Sequence, residues 1–284
     1  MSRFVKAHAL GNDYLVVESQ ALPFPLTPEA IRRICDRHLG VGSDGILVHV
    51  TSHRADFGLR IYNPDGSEAE KSGNGLRIFA KYLYDHGFTR STHFTVETPG
   101  GIVTCALEVA GGRVTQVTVD MGEASFWSPR IPMVGPPREV LDEPVEVEGE
   151  ALRITALTVG NPHCVVFVED LEGVDLRRLG PALERHPAFP QRTNVQFAQV
   201  VGRDEVRIRI WERGAGETLA SGSSACAVAA ACVRLGLTGP DVAVEMPGGT
   251  LRIHVGEGFF LRMTGPATEV YRGEFSAEFV EALR

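Results

Sequence analysis

Lysines, paired cysteines and long apolar runs are scarce or absent in this chain of 284 residues. The three lysines, Lys6, Lys71 and Lys81, offer no clear Schiff-base residue, and no GxGxxG motif opens a strand–helix–strand unit. The five cysteines form no CxxC pair, and no residues have the spacing of metal ligands. The sequence therefore predicts a protein that needs no metal, flavin or pyridoxal phosphate, and whose thiols are reduced and mostly buried.

The composition indicates a globular protein without a membrane or nucleic-acid partner. The apolar fraction is 43% and the charged fraction 23%, values typical of globular domains. The longest apolar run, residues 225–233, is too short to span a bilayer, and the start of the chain lacks the apolar core of a signal peptide. A formal net charge of -8 without a local basic patch argues against nucleic acid. We therefore expect a cytoplasmic location.

Two stretches, one in each half of the chain, match without a gap at an offset of 149 residues. "GSEAEKSGNGLRIFAKYLYDHG" aligns with part of "IWERGAGETLASGSSACAVAAACVRLG", so that Ser72 and Gly73 fall on Ser221 and Gly222. The same offset aligns "GNDYLVVE" with "GNPHCVVFVE", and an offset of 148 aligns "ETPGG" with "EMPGG". Three matches in one order indicate the tandem duplication of a domain-sized unit.

We expect an α/β fold of two homologous domains, residues 1–130 and 131–284, with exchange of a strand between the halves allowed. The boundary is placed in residues 129–147, which are rich in proline and acidic residues. One helix is predicted to end at Gly87, and its counterpart at 225–235 is apolar nearly all round, as a helix enclosed by a sheet should be. Alternating apolar residues predict strands at 57–62, 114–119, 206–210 and 250–255.

The two Ser-Gly pairs stand where a helix is predicted to begin in each half. Serine is a good N-cap, and the first amides of a helix favour an anion. Duplicated domains commonly pack about a pseudo-twofold axis, which would bring both turns to one cleft. A small carboxylate could then be held by the turn residues, with one hydroxyl on each side of the reacting carbon. The turn residues concerned are Gly73, Asn74, Gly222 and Ser223.

Six motifs, in this order and near this spacing, resemble the diaminopimelate epimerase family: "ALGNDY", "DRHLGVGSDGIL", "YNPDGSEAEKSGNGLR", "GNPH", "TNV" and "WERGAGETLASGSSACA". The resemblance spans nearly the whole chain. It implies a cofactor-independent enzyme of lysine and peptidoglycan biosynthesis that interconverts LL- and meso-2,6-diaminopimelate, and a homodimer. It also implies two similar domains, each a strongly curved, mostly antiparallel sheet around a central helix.

The two bases of that family are cysteines, one removing the α-proton and the other returning a proton to the opposite face. Both positions are serine here, Ser72 and Ser221. A hydroxyl is a weaker acid than a thiol and needs a neighbour to take its proton. Three explanations stay open: a chain altered to hold substrate, a natural paralogue with slower proton chemistry or a different racemisation or elimination, and an amino-acid-binding protein. Ser224 and Lys71, where the family often has glycine and an uncharged residue, favour natural divergence.

The resemblance also assigns the residues that would support the two serines. Glu212 would bond the substrate amine, and Arg213 would grip the distal carboxylate in a bidentate manner that lysine cannot copy. Such a clamp favours diaminopimelate over an amino acid with one carboxylate. His163 would accept the proton of Ser72 or Ser221. Asparagine amides would hold the distal end of the substrate at Asn12, Asn63, Asn161 and Asn194.

Overall fold

The computed structural model of the protein describes residues 3–284. The strands are β1 (Arg3–Ala9), β2 (Asn12–Glu18), β3 (Ile46–Val50), β4 (Phe57–Tyr62), β5 (Glu68–Ala69), β6 (His93–Thr98), β7 (Gly101–Ala110), β8 (Arg113–Glu123), β9 (Glu143–Val147), β10 (Glu150–Thr158), β11 (Pro162–Phe167), β12 (Asn194–Val200), β13 (Glu205–Glu212), β14 (Gly216–Thr218), β15 (Asp241–Met246), β16 (Gly249–Val255), β17 (Phe260–Gly265) and β18 (Thr268–Glu274). The α-helices are α1 (Pro28–Cys35), α2 (Gly73–Asp85), α3 (Leu176–Glu184), α4 (Gly222–Arg234) and α5 (Ala277–Glu281). None of these helices has both the length and the apolar character needed to cross a membrane.

The chain forms two compact units. One contains the residues up to Val119 together with Gly265–Arg284, and the other contains Asp120–Thr264. The first division falls inside β8, and the C-terminal strand β18 pairs with β1 within the first unit. These units are defined by compactness; the domain boundaries predicted from the repeat, 1–130 and 131–284, stay a prediction.

The first unit is built on one mixed sheet. Its strands lie side by side in the order β18, β1, β2, β3, β4, β6, β7 and β8, and β5 pairs with β4. The two parallel pairs are β2 with β3 and β4 with β6, and every other pair is antiparallel. Helix α1 lies in the connection between the first parallel pair and α2 in that of the second, as a parallel pair requires a crossover.

The second unit repeats this arrangement in the order β9, β10, β11, β12, β13, β15, β16 and β17, with β14 on β13. Helices α3 and α4 now lie in the two parallel crossovers. Even the register repeats, since Leu15 lies opposite Ile46 and Cys164 opposite Val195, each partner shifted by the offset of the sequence repeat. The structure confirms the predicted fold of two similar, mostly antiparallel α/β units, and the four predicted strands lie within β4, β8, β13 and β16.

Helix α4 is the centre of the second unit. It contacts six strands of that unit, and its side chains over residues 225–232 have no solvent exposure. A helix covered on several sides must be apolar on all of them, which explains the run of alanine and cysteine. Helix α2 packs on strands of the first unit in the same way and is followed by Gly87 at φ +81°, a left-handed conformation that favours glycine.

Candidate active site

Ser72 and Ser221 occupy equivalent places, at the N-caps of α2 and α4. Their backbone angles are nearly identical, φ -140° and ψ 117° at the first serine and φ -142° and ψ 121° at the second. Each hydroxyl oxygen accepts a hydrogen bond from the backbone N–H three residues on, that of Gly75 at 3.0 Å and that of Ser224 at 3.4 Å. Each unit therefore presents a hydroxyl at the positive end of a helix dipole.

The neighbour of Ser72 is a phenol. The hydroxyl of Tyr14, on β2, lies 3.3 Å from Oγ of Ser72. Gly45 leaves room for this ring, because a Cβ there would lie 2.7 Å from Cε1 of Tyr14 and 2.4 Å from the carbonyl oxygen of Tyr62. A side chain at position 45 would therefore displace the aromatic ring from the serine.

A chain of hydrogen bonds fixes the asparagines beside Ser72. The guanidinium of Arg77, which is fully buried, donates to Oδ1 of Asn74 at 2.8 Å. Asn74 donates to Oδ1 of Asn12 at 3.1 Å, and Asn12 donates to the carboxylate of Asp44 at 3.0 Å. At the other end of this chain of hydrogen bonds, the guanidinium of Arg37 donates to the carboxylate of Asp44 at 2.7 Å. The orientation of both amides is thus set from the two ends.

The neighbour of Ser221 is a carboxylate. Glu212, at the end of β13, accepts hydrogen bonds from the hydroxyls of Ser221 and Thr218, the latter at 3.2 Å. Burial raises the pKa of Glu212, and these two hydrogen bonds offset part of that increase. The hydroxyl of Ser223 lies 3.4 Å from that of Ser221. The second unit therefore places a proton acceptor of raised basicity directly on its serine.

His163 is fully buried on β11, and amides contact both of its ring nitrogens. Nε2 lies 3.0 Å from Oδ1 of Asn161, and Nδ1 lies 3.1 Å from Nε2 of Gln196. Burial lowers the pKa of His163 to about 3, and the positive charge of Arg213 contributes to the decrease. The ring is neutral at pH 7 and suited to orienting its neighbours. A role as proton acceptor for a serine stays a prediction.

The turn that carries Glu212 and Arg213 is held by two buried side chains. Oδ1 of Asn194 accepts the backbone N–H of Arg213 at 3.0 Å, while its Nδ2 donates to the carbonyl oxygen of Pro162 at 2.9 Å. The buried carboxylate of Glu184, at the end of α3, accepts the next backbone N–H, that of Gly214, at 3.1 Å. Asn194 thus fixes the backbone of Arg213, the residue predicted to bind the distal carboxylate of the substrate.

Asn63 belongs to a local turn of the first unit. Its side chain donates to Oγ of Ser67 at 3.0 Å, and its backbone N–H donates to the carbonyl oxygen of the same residue at 2.8 Å. These contacts close the "NPDGS" turn between β4 and β5. In the first unit, therefore, Ser72 lies against Tyr14, and Asn12 is hydrogen-bonded to Asn74. Asn63 is hydrogen-bonded within its own turn.

The cysteines have the environments of core residues. All five are buried, and burial raises the pKa of Cys232 to about 12. Residues 3–284 contain no group of three or more His, Cys, Asp or Glu side chains placed to hold a metal ion.

Tyr14, Gln196, Glu184 and Arg77 belong to these groups but are not among the residues predicted from the sequence. Tyr14 is two residues after Asn12 on a strand, and Gln196 is two residues after Asn194, so the strand period of two places each pair on one face. That period could have indicated both residues. Glu184 and Arg77 gave no comparable signal, because a charged residue on a helix is normally solvated. Their burial depends on tertiary packing.

Comparisons with known proteins match nearly the whole chain. The family model described as diaminopimelate epimerase matches residues 4–127 and 155–270. Diaminopimelate epimerase 2 of a Nostoc species is 51% identical over 277 residues, covering 97% of this chain and 96% of that protein. Diaminopimelate epimerase of Pelotomaculum thermopropionicum is 49% identical over 275 residues, covering 96% of this chain and 98% of that protein.

Solved structures of more distant proteins share the fold. A hydroxyproline epimerase from Agrobacterium vitis superposes with a TM-score of 0.71 at 17% identity, covering 96% of this chain and 90% of that one. A phenazine biosynthesis protein of the PhzF family from Bacillus anthracis superposes with a TM-score of 0.71 at 19% identity, covering 97% and 99%. At these identities the likeness concerns the fold alone.

Proposed function

Since the chain belongs to the diaminopimelate epimerase family, we propose that it binds 2,6-diaminopimelate and interconverts the LL and meso forms by moving the α-proton. The observation that carries this proposal is the pair of serine-capped helices, α2 and α4, at corresponding places in two units of the same topology. A reaction that inverts one carbon needs one proton-transfer group for each face. The proposal requires both hydroxyls to reach one α-carbon, as the sequence repeat leads us to expect.

The residues beside the two serines give each serine a different role in the proposed proton transfer. Ser221 would take the α-proton of one epimer while its own hydroxyl proton passes to Glu212, whose pKa is raised by burial. On the other face, Ser72 would return a proton to the carbon, and the adjacent Tyr14 hydroxyl would donate a proton in turn. In the reverse direction the roles exchange.

Substrate binding rests on residues that need no thiol. The first amides of both helices, which include those of Gly73 and Gly222, would hold the carboxylate at the reacting carbon. Arg213 would hold the distal carboxylate, with Asn12, Asn63, Asn161 and Asn194 around the distal end. A monocarboxylic amino acid would offer Arg213, which donates to the carbonyl oxygen of Gln191, no carboxylate to bind. The proposal therefore includes a small-molecule substrate, a place in lysine and peptidoglycan precursor synthesis, a cytoplasmic location and a homodimer.

The experiment is incubation of the purified protein with LL-diaminopimelate in deuterated water. Loss of the α-proton signal in NMR together with appearance of the meso form would support the proposal. The second candidate, a binding protein that has lost the reaction, is favoured by one observation, the hydroxyls at both base positions. It predicts binding in calorimetry without deuterium incorporation. Absence of both binding and exchange would contradict both candidates.

A further inference from the structure

The fully buried side chain of Gln196, on β12, joins His163 to Ser224. Its Nε2 lies 3.1 Å from Nδ1 of His163 and 2.9 Å from Oγ of Ser224, so both N–H groups are donated. On the far side of the ring, Nε2 of His163 lies 3.0 Å from Oδ1 of Asn161. Because a carbonyl oxygen only accepts, the ring carries its proton on Nε2 and leaves Nδ1 as the acceptor.

We propose that Gln196 is a positioning residue that holds His163 in the neutral Nε2–H tautomer and thereby sets the orientation of the Asn161 amide. With Oδ1 committed to the ring, Asn161 is left with Nδ2 to offer. Within residues 3–284 no protein hydrogen bond uses that group, and the side chain is half-buried. Asn161 therefore presents a donor, which suits a substrate carboxylate. The assignment of the Asn161 donor to a substrate carboxylate rests on the proposed function, whereas the assignment of the His163 tautomer does not.

The opposite orientation of the Gln196 amide is less favourable, because it would leave buried N–H groups without acceptors. In the observed orientation, Oε1 of Gln196 is buried without a partner. Rotating the amide would pair Oε1 but strand two buried N–H groups, and unpaired donors are rarer in proteins than under-satisfied carbonyls. It would also require a proton on Nδ1 of His163, which would set Nε2 against Oδ1 of Asn161, two acceptors facing each other. Asn161 would then have to turn as well, so the three side chains change together.

The test is long-range 15N–1H NMR of protein labelled at histidine, with His163 assigned by loss of its signals in His163→Gln. At pH 7 we expect the pattern of a ring protonated at Nε2. Gln196→Glu supplies an acceptor in place of the donor, so it should move the proton to Nδ1. The control is Gln199→Glu, on the same strand, where the side chain donates to the carbonyl oxygen of Glu169 rather than to a histidine. A proton on Nδ1 in the unaltered protein, or an unchanged pattern in Gln196→Glu, would overturn the inference.

Gln196→Met serves if the buried glutamate prevents folding, since methionine fills the space and offers neither donor nor acceptor. We expect it to yield a mixture of tautomers, and persistence of Nε2–H alone would show that Gln196 does not set the state. Calorimetry with diaminopimelate completes the test, with a dissociation constant about tenfold higher in Gln196→Glu than in the control. Unchanged affinity despite a moved proton would refute the link to Asn161. An unaltered protein that binds no diaminopimelate would refute the proposed function while leaving the tautomer result standing.

Discussion

The carboxylate of Glu212 accepts a hydrogen bond from the hydroxyl of Ser221, whereas the equivalent hydroxyl of Ser72 lies 3.3 Å from the phenol of Tyr14. Two helix N-caps with the same backbone geometry therefore have different proton chemistry. A serine beside a carboxylate of raised pKa can lose its proton to that neighbour, while a serine beside a phenol is better placed to be resupplied with one. The duplication conserved the backbone geometry of the two turns, and the side chains around them diverged.

The first prediction concerns Glu212. Because burial raises its pKa, the ionised fraction, and with it proton abstraction, should increase with pH through a value above that of an ordinary glutamate. Glu212→Gln should lower kcat by at least ~100-fold and remove this acid limb from the pH profile. Glu217→Gln, on β14 and paired with Arg209, is the matched control and should leave the profile unchanged. An acid limb that survives in Glu212→Gln would assign it to another group.

The second prediction concerns Glu184, whose buried carboxylate holds the backbone N–H of Gly214. Glu184→Ala should loosen the turn that carries Arg213 and raise KM several-fold with a smaller effect on kcat. It should also lower the free energy of unfolding by about 1–3 kcal/mol, because the charged acceptor of two hydrogen bonds, from the backbone of Gly214 and from Nε1 of Trp211, is lost. Steady-state kinetics and urea unfolding measure the two effects, with the exposed Glu172→Ala as control. A change in kcat alone would argue against a role in binding.

The third prediction concerns Arg77, whose fully buried guanidinium orients Asn74. Arg77→Lys keeps the charge but loses the planar fork, so we expect a loss of about 2–4 kcal/mol in the free energy of unfolding. Arg60→Lys, on the surface and paired with Glu68, makes the same chemical change and should cost no more than ~1 kcal/mol. Equal losses in the two variants would show that burial of Arg77 does not matter.

The fold was predictable because its signals are local and occur twice. The Ser-Gly turns and the helices that follow them repeat at an offset of 149 residues, the PGG turns repeat at 148, and the strand register repeats the offset of 149. The return of β18 to β1 was not specified by any local pattern, since its strand partner is at the other end of the chain. The N-cap position of Ser72 was predictable, because a Ser-Gly pair before a helical apolar stripe is a local signal. The buried contacts of the candidate site were not, because burial of Arg77 and the hydrogen bond from Gln196 to His163 arise only when distant segments pack.

The fourth prediction concerns stability and pH at His163. Burial lowers its pKa to about 3, so the folded state excludes a proton that the unfolded state binds below an ordinary value of 6.5. The stabilising contribution of the neutral ring is complete above pH 6.5 and is lost as the pH falls toward 3, by at most about 1.4 kcal/mol per pH unit. His163→Gln should therefore cost less at pH 5 than at pH 7 in urea unfolding. His53→Gln, an exposed site, should cost the same at both; a pH-independent cost at His163 would mean that the ring is not held neutral.

The last prediction concerns the two serines together. Substrate binding should survive with serine at both positions, because the helix amides, Arg213 and the asparagines supply the contacts, so calorimetry should show diaminopimelate binding even where epimerisation is slow. Changing both Ser72→Cys and Ser221→Cys should raise kcat at neutral pH by at least ~100-fold, the low end of what a positioned acid–base group contributes. Either single change should do much less, since inversion needs a competent group on each face. A serine should reduce kcat less at position 221 than at position 72, because Glu212 already accepts a hydrogen bond from the hydroxyl of Ser221. Deuterium exchange at the α-carbon measures all four proteins, and ordinary enzyme rates in the unaltered protein with no gain from the double change would show that Glu212 and Tyr14 suffice to activate the hydroxyls.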